Sequence, residues 1–177
     1  MTYPMTRRDL LKSAAADPGV LAIKMTLYRT NEGSAIVEAL KDAAKKNKQV
    51  TVLVELKARF DEERNINWAR ELEEAGCHVI YGFAGMKIHS KIALIVRSEE
   101  DGRIRRYVHL STGNYNQVTA KIYTDIGYFT ANEDLARDIS DVFNVITGYS
   151  IPSRWKRLVS SPRDLRKSFF DLIDQEI

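Results

Sequence analysis

The sequence predicts an α/β fold with a mixed, largely parallel sheet. In its first half, short apolar segments rich in β-branched residues alternate with segments whose apolar residues recur at helical spacing. Further along, a polar Glu-Asp-Gly turn separates two apolar runs and predicts a hairpin. With 177 residues and 44% hydrophobic content, the chain is long enough for one domain, or for one domain and part of a second.

The same patterns place the individual elements. We expect strands at 20–26, 50–56, 77–81, 91–97, 105–110 and 123–130. We expect a short helix that is capped by Thr6 and stops at Pro18, and further helices at 34–46, 61–75, 132–146 and 164–177. In the helix at 61–75, the apolar stripe expected to face the core is Ile66, Ala69 and Leu72.

Composition excludes several classes of protein. The formal net charge of +3 gives no strong bias toward acidic or basic partners, so a preference for anions must come from local clustering. Cys77 is the only cysteine, which rules out a disulfide within the chain and fits a reducing compartment. No apolar run approaches the ~20 residues that cross a membrane. Arg7 and Arg8 suggest an export signal, but Asp17 and Pro18 come too early for its apolar segment.

A histidine and a lysine stand just before the apolar run 92–96. If the strand includes them, His89 and Lys91 point to the same side, because side chains alternate along a strand. A neutral imidazole can attack phosphorus, and an ammonium can neutralise the oxygens around it. The pair therefore predicts phosphate chemistry, with a packed or surface histidine as the alternative interpretation of His89. His78 and His109 fall within predicted strands and are interpreted as structural.

Basic loops follow the predicted strands. Arg29 follows the first strand, Arg59 the second, and residues 87–91 the third. Ligands of open parallel sheets bind at the carboxyl ends of the strands, so these loops predict an anion site there. Arginine forks suit phosphate oxygens, and lysine supplies a point charge. The alternatives are that Arg59 pairs with its acidic neighbours, that Arg29 lies in water, and that Asn114 belongs to an ordinary turn.

These segments resemble two related families. A His-x-Lys pair before an apolar strand, followed by a Gly-x-x-Asn-like turn, resembles the half-site of the phospholipase D superfamily. That superfamily's motif has an aspartate where Val96 stands here, so the pattern departs from a true phosphodiesterase. The chain more closely resembles bacterial polyphosphate kinases of the first type, over about residues 18–177. The segments that carry this resemblance, in the family's order, are 21–30, 54–63, 87–91, 112–115 and 120–125.

The resemblance implies the first of two C-terminal phospholipase D-like domains, with an α/β/α sandwich fold. Residues 1–17 would be a lead-in helix, 18–148 the catalytic domain, and 149–177 a linker with the first helix of a truncated second C-terminal domain. The family's enzyme, an ATP:polyphosphate phosphotransferase, moves the terminal phosphate of ATP reversibly onto polyphosphate. Other domains of that enzyme lie outside this chain, so the resemblance also implies that the chain alone can be inactive.

Site residues are implied residue by residue. His89 matches the histidine that becomes phosphorylated, and Lys91 stands beside it as a second catalytic residue. Tyr123 matches a tyrosine that contacts the nucleotide, and Asn114 is assigned to the same binding function.

The resemblance also implies magnesium, with ATP as substrate. Arg29 and Arg59 match arginines assigned to the magnesium and phosphate neighbourhood. Arginine stays protonated and offers no lone pair, so we expect Arg29 and Arg59 to hold phosphate oxygens near the metal. Magnesium normally keeps waters and substrate phosphates around it.

The partners implied are ATP or ADP, inorganic polyphosphate and the remaining domains of a full-length homo-oligomer, without nucleic acid. The implied location is the cytoplasm, with peripheral attachment to the inner membrane as a variant of it. Two other functions stay open: a phospholipase D-like phosphodiesterase or nuclease half-site, and a non-catalytic domain that binds polyphosphate.

Overall fold

A computed structural model describes residues 5–28, 30–31, 33–55, 62–82, 87–148 and 155–177, with the backbone alone for 62–64. Arg29, Arg59 and the residues from Leu56 to Asp61 lie outside the described residues. The expectations for those residues therefore stay expectations.

The described residues form five α-helices and six strands. The helices are α1 (Arg7–Ala16), α2 (Ala35–Lys45), α3 (Glu62–Glu74), α4 (Glu133–Ile146) and α5 (Leu165–Asp174). The strands are β1 (Val20–Leu27), β2 (Gln49–Val54), β3 (His78–Tyr81), β4 (Lys91–Ser98), β5 (Ile104–Ser111) and β6 (Gly127–Thr130). These elements confirm the predicted alternation and the predicted hairpin between β4 and β5.

The strands form one mixed sheet in the order β3-β2-β1-β4-β5-β6. Parallel pairing is confined to β1, β2 and β3, while β4, β5 and β6 each pair antiparallel to their neighbours. The expectation of a largely parallel sheet is therefore corrected for the second half. The turn at 99–103 between β4 and β5 is too short for the crossover connection that a parallel pair needs.

The mixed topology brings several chain ends to one edge of the sheet. Because β4 runs antiparallel to β1, its start lies beside the end of β1. Lys91 at the start of β4 pairs with Ser111 at the end of β5, and Ser111 pairs with Gly127 at the start of β6. The ends of β1, β2 and β5 and the starts of β4 and β6 therefore share this edge, which we call the site edge.

Helices cover both faces of the sheet. Successive side chains of β4 point to opposite faces, as strand geometry requires. Ala93 and Ile95 pack in a core with α1, α2 and α3. Ile92 and Leu94 pack in a second core with α4, whose contribution includes Phe143. This arrangement is the predicted α/β/α sandwich.

The first helix forms as the sequence predicts. Thr6 caps α1 by accepting from the Asp9 backbone N, and the Asp9 carboxylate accepts in return from the Thr6 backbone N. This reciprocal pair satisfies two of the amide groups that a helix start leaves unpaired.

Two local predictions are wrong. In α3, Ile66 is 38% exposed, and the buried face instead carries Asn65 and Trp68 together with Ala69 and Leu72. The expected strand from residue 123 begins only at Gly127 in β6, after a short 3-10 helix at Thr119–Lys121. The strand starts there because its pairing partner β5 ends at Ser111, which pairs with Gly127.

A buried carboxylate anchors the segment after residue 154 to α4. Asp138 is 2% exposed, and its carboxylate accepts hydrogen bonds from the backbone N of Lys156, Arg157 and Leu158 at 2.6–3.1 Å. These charge-assisted bonds fix the chain that leads to α5. Within the described parts of the chain, none of the helices has both the length and the apolar character needed to cross a membrane.

Candidate active site

His89 lies at the site edge in an irregular loop. The strand β4 starts at Lys91, so His89 is outside it and strand alternation does not place the two side chains together. That expectation is corrected, although the two residues do meet by another route. His89 is exposed, whereas Lys91 is 5% exposed. An accessible imidazole therefore stands beside a nearly buried ammonium.

Tyr28 brings the histidine and the lysine together. This residue directly follows β1, and its ring lies edge-on to the His89 imidazole with 5.3 Å between ring centroids and 77° between the planes. The Lys91 Nζ lies 5.3 Å from the centroid of the same Tyr28 ring. A cation at this distance from an aromatic face is attracted by its negative potential.

Burial lowers the pKa of both His89 and Lys91. Burial, and then the positive charge of Lys91, lowers the pKa of His89 below its ordinary value of 6.5. Burial also lowers the pKa of Lys91, while the Asp125 carboxylate opposes that change. An imidazole with a lowered pKa keeps a free lone pair at more acidic pH, which is the form that acts as a nucleophile.

Contacts of His109, Tyr115 and Arg7 hold the turn that follows β5. The His109 Nδ1 lies 2.9 Å from the Tyr115 hydroxyl, and both residues are nearly inaccessible. The Arg7 guanidinium lies 5.6 Å from the centroid of the Tyr115 ring and donates to the backbone carbonyls of Gly113 and Asn114. The interpretation of His109 as structural agrees with this burial.

Asn114 and Tyr123 both lie near the site edge but differ in their surroundings. The Asn114 Oδ1 is buried without a hydrogen-bond partner among the described residues. Tyr123 is 67% exposed and follows the short 3-10 helix, so its ring is available to a ligand. Asp125 accepts a hydrogen bond from the Thr112 hydroxyl at 3.1 Å, which ties the segment of Tyr123 to the turn of Asn114.

A mainly apolar cleft of about 720 Å³ opens beside the histidine. It is lined by the 87–90 loop, by α4 and by the segment that Asp138 anchors. His89 is therefore accessible from a concave surface.

The described residues do not build a magnesium site. No group of three or more histidine, cysteine, aspartate or glutamate side chains in the described ranges is placed to hold a metal. The family-implied arginines Arg29 and Arg59 lie outside the described residues, and guanidinium nitrogens carry no lone pair for a metal. Guanidinium groups at these two positions would suit phosphate oxygens beside a metal rather than the metal itself.

Sequence reasoning missed the residues behind the histidine. Glu55 is 2% exposed, and its carboxylate Oε2 accepts from the Ile88 backbone N at 2.8 Å. Asn65 is fully buried in α3, and Tyr28 was not assigned a role. The sequence did contain a signal for two of them. Glu55 is an acid at the end of an otherwise apolar strand, and Asn65 is an amide on the apolar face of a helix. Polar groups buried at such positions need hydrogen-bond partners.

The fold and this site define an α/β/α domain whose sheet edge presents an exposed histidine beside a buried lysine. The sequence model of the family described as Polyphosphate kinase C-terminal domain 1 matches residues 3–152. The chain belongs to this polyphosphate kinase domain family.

Individual relatives agree with the family. A polyphosphate kinase of Bacillus cereus is 57% identical over 169 residues, which are 96% of this chain and 24% of the relative. A polyphosphate kinase of Exiguobacterium sibiricum is 58% identical over 168 residues, 95% of this chain and 23% of the relative. The crystal structure of a polyphosphate kinase from Porphyromonas gingivalis matches with a TM-score of 0.84 and 39% identity, over 96% of this chain and 28% of that one. The chain thus spans about a quarter of the length of these relatives.

Proposed function

We propose that this chain is the part of a polyphosphate kinase that carries the phosphoryl group between ATP and polyphosphate, through a covalent bond to His89. The observation that carries the proposal is the exposed imidazole of His89 with the nearly buried Lys91 beside it, both against the Tyr28 ring. The names of the relatives support the substrates, since they are polyphosphate kinases.

The proposed reaction has two displacements. An imidazole nitrogen of His89 attacks the γ-phosphorus of ATP with its lone pair, the bond from phosphorus to the bridging oxygen breaks, and ADP leaves with that electron pair. A terminal oxygen of polyphosphate then attacks the same phosphorus, and the nitrogen–phosphorus bond breaks to restore the imidazole. The reverse sequence moves a phosphate from polyphosphate to ADP.

The basic groups around His89 would stabilise the negative charge of the phosphoryl group during transfer. Attack builds negative charge on the three equatorial phosphate oxygens, and Lys91 supplies a fixed positive charge beside them. We assign Arg29 and Arg59 to the same phosphate oxygens on the family resemblance alone. Tyr123 and Asn114 are assigned to the nucleotide, a role that suits the exposed Tyr123 ring.

Magnesium would enter with the phosphates of ATP, where it supplies positive charge, because the described residues do not form a site of their own for it. The remaining partners of the proposal are the other domains of a homo-oligomeric full-length enzyme. The proposed location is the cytoplasm, with peripheral attachment to the inner membrane as a variant.

The decisive comparison uses the full-length polyphosphate kinase that contains this chain. Replacement of His89 by Gln keeps a polar side chain but removes the nucleophile, so polyphosphate synthesis from ATP should fall roughly 10³-fold or more. Undiminished synthesis by this variant would refute the proposal. Hydrolysis of a simple phosphodiester by the unmodified enzyme would instead support the phospholipase D-like function, which Val96 disfavours. Binding of polyphosphate by the unmodified enzyme without any synthesis would indicate a binding domain.

A further inference from the structure

The ends of β1 and β2 are joined by one buried amide. The Asn65 Nδ2 donates to the backbone carbonyl of Glu55 at 2.9 Å and to that of Tyr28 at 3.2 Å. Its Oδ1 accepts from the Trp68 indole Nε1 at 3.0 Å. Both ends of the Asn65 amide are thus hydrogen-bonded, and a buried polar network with its members satisfied is rigid and specific.

The Glu55 side chain extends this network to the histidine loop. Its carboxylate Oε2 accepts from the backbone N of Ile88, the residue immediately before His89, at 2.8 Å. The bond is charge-assisted, and it joins the buried Glu55, which is 2% exposed, to the half-buried Ile88. Residues 87–90 have no regular secondary structure, so this bond fixes the loop at Ile88, while the Thr26 hydroxyl fixes its other end by donating to the Ser90 carbonyl at 2.7 Å.

Tyr28 provides a second connection to the same histidine. Asn65 fixes the Tyr28 carbonyl, and the Tyr28 ring contacts the His89 imidazole. The Asn65 amide therefore reaches His89 by two routes: through Glu55 and the Ile88 backbone, and through the Tyr28 ring.

We propose that Glu55 is a positioning residue for the phosphoryl transfer: its carboxylate holds the Ile88 amide and so sets the place of His89 over the site edge. The inference rests on the proposed role of His89. A misplacement of a reacting group by about 1 Å can cost on the order of 10²-fold in rate, so a single lost bond at this point should be measurable.

Two substitutions of Glu55 distinguish a role in positioning His89 from an electrostatic role of the carboxylate. Glu55→Gln keeps the length and one oxygen acceptor but removes the charge, whereas Glu55→Asp keeps the charge but shortens the side chain. A positioning role predicts that Gln retains most of the kcat for polyphosphate synthesis in the full-length enzyme, while Asp and Ala lower it ~10–100-fold with little change in the KM for ATP. A purely electrostatic role predicts the opposite order.

A local measurement accompanies the kinetics. Hydrogen exchange of the Ile88 amide should be faster in Glu55→Asp than in the unmodified protein, and close to unmodified in Glu55→Gln. Glu74→Ala is the control for loss of a carboxylate, because Glu74 is an exposed acid at the end of α3, and it should change neither quantity. If Glu55→Ala does not fold, the comparison of Glu55→Gln with Glu55→Asp is sufficient to test the positioning role.

Two outcomes would overturn the inference. One is an unmodified kcat in Glu55→Asp, and the other is a greater loss of kcat in Gln than in Asp. Measuring the kcat of His89→Gln in the same assay distinguishes a failure of this inference from a failure of the proposed function. If His89→Gln is fully active the proposed function fails, whereas if only His89→Gln is inactive the positioning role of Glu55 fails.

Discussion

The Lys91 ammonium folds back and donates a hydrogen bond to the backbone carbonyl of His89, two residues earlier in the chain. This bond, together with the Tyr28 ring near the same ammonium, holds a positive charge in a fixed place beside the imidazole. A preorganised charge needs no reorientation when negative charge develops on a phosphoryl group.

Removal of the Lys91 charge should change the titration of His89. Burial is the larger cause of the lowered pKa of His89 and Lys91 is the second, so Lys91→Met should raise that pKa part of the way back toward 6.5. NMR titration of the His89 imidazole in this chain would measure the shift. In the full-length enzyme, the same variant should lower the rate of phosphoryl transfer by ~10²–10³-fold.

Lys87→Met is the control for this prediction. Lys87 is exposed and lies in the same loop, so its loss changes the net charge by the same amount without removing the ammonium at the Tyr28 ring. A His89 pKa that falls in Lys91→Met, or one that rises equally in both variants, would contradict the role given to Lys91.

His109 should make the stability of the chain depend on pH. Burial, and then the Arg7 charge, lowers the pKa of His109 to about 4 from 6.5. The unfolded chain takes up a proton near 6.5 while the folded His109 stays neutral, so stability is full above about 6.5 and falls as the pH drops toward 4. The contribution is ~3 kcal/mol across that window. Urea unfolding of the unmodified chain and of His109→Gln at a series of pH values isolates it.

His78→Gln serves as the comparison for His109, because His78 is an exposed histidine on β3. The stability difference between the unmodified chain and His109→Gln should shrink as the pH falls, and this dependence should exceed any seen for His78→Gln. A difference for His109→Gln that is independent of pH would show that the folded state accommodates the protonated ring.

Asp138 should hold the segment that leads to α5. In Asp138→Ala the backbone N–H groups of Lys156, Arg157 and Leu158 lose their shared acceptor, so their hydrogen exchange should accelerate. A hydrogen bond to a charged group contributes about 1.5–3 kcal/mol, and we expect a loss of this order in the local free energy of opening.

Asp141→Ala is the matched change on the same helix, because Asp141 is a half-buried acid of α4. The three amides should exchange at their original rates in this variant. Unchanged exchange in Asp138→Ala would mean that the apolar contact of Leu158 with the α4 core holds the segment without the carboxylate.

Local signals in the sequence were sufficient for most of the elements. The Thr6 cap with Asp9 three residues later predicted α1, and the turn between the apolar runs predicted the β4–β5 hairpin. The helical stripe in α3 was misplaced because Asn65 is buried although it is polar, while Ile66 is partly exposed although it is apolar. Burial of Asn65 depends on carbonyls from β1 and β2, which are partners that periodicity does not reveal.

The residue types of the candidate site were predicted from the sequence, but the contacts that assemble it were not. His89 and Lys91 were proposed from their residue types and from the family resemblance. The contacts that bring them together pass through Tyr28, from a strand end more than sixty positions earlier in the chain. The expected strand alternation failed because β4 begins at Lys91, a boundary set by pairing with Ser111. Contacts between distant strand ends follow from topology, which the sequence does not display directly.

The most direct measurement is the chemical location of the phosphate on the enzyme. Full-length polyphosphate kinase containing this chain is incubated with ATP labelled at the γ-phosphate, and the phosphorylated peptide is isolated under alkaline conditions and sequenced by mass spectrometry. A phosphoryl group that is stable to base, labile to acid and bound to His89 is the predicted result, and it should be discharged by added polyphosphate or ADP. An equal amount of acid-labile phosphate in the His89→Gln variant, or its location on another residue of the unmodified enzyme, would contradict the role of His89.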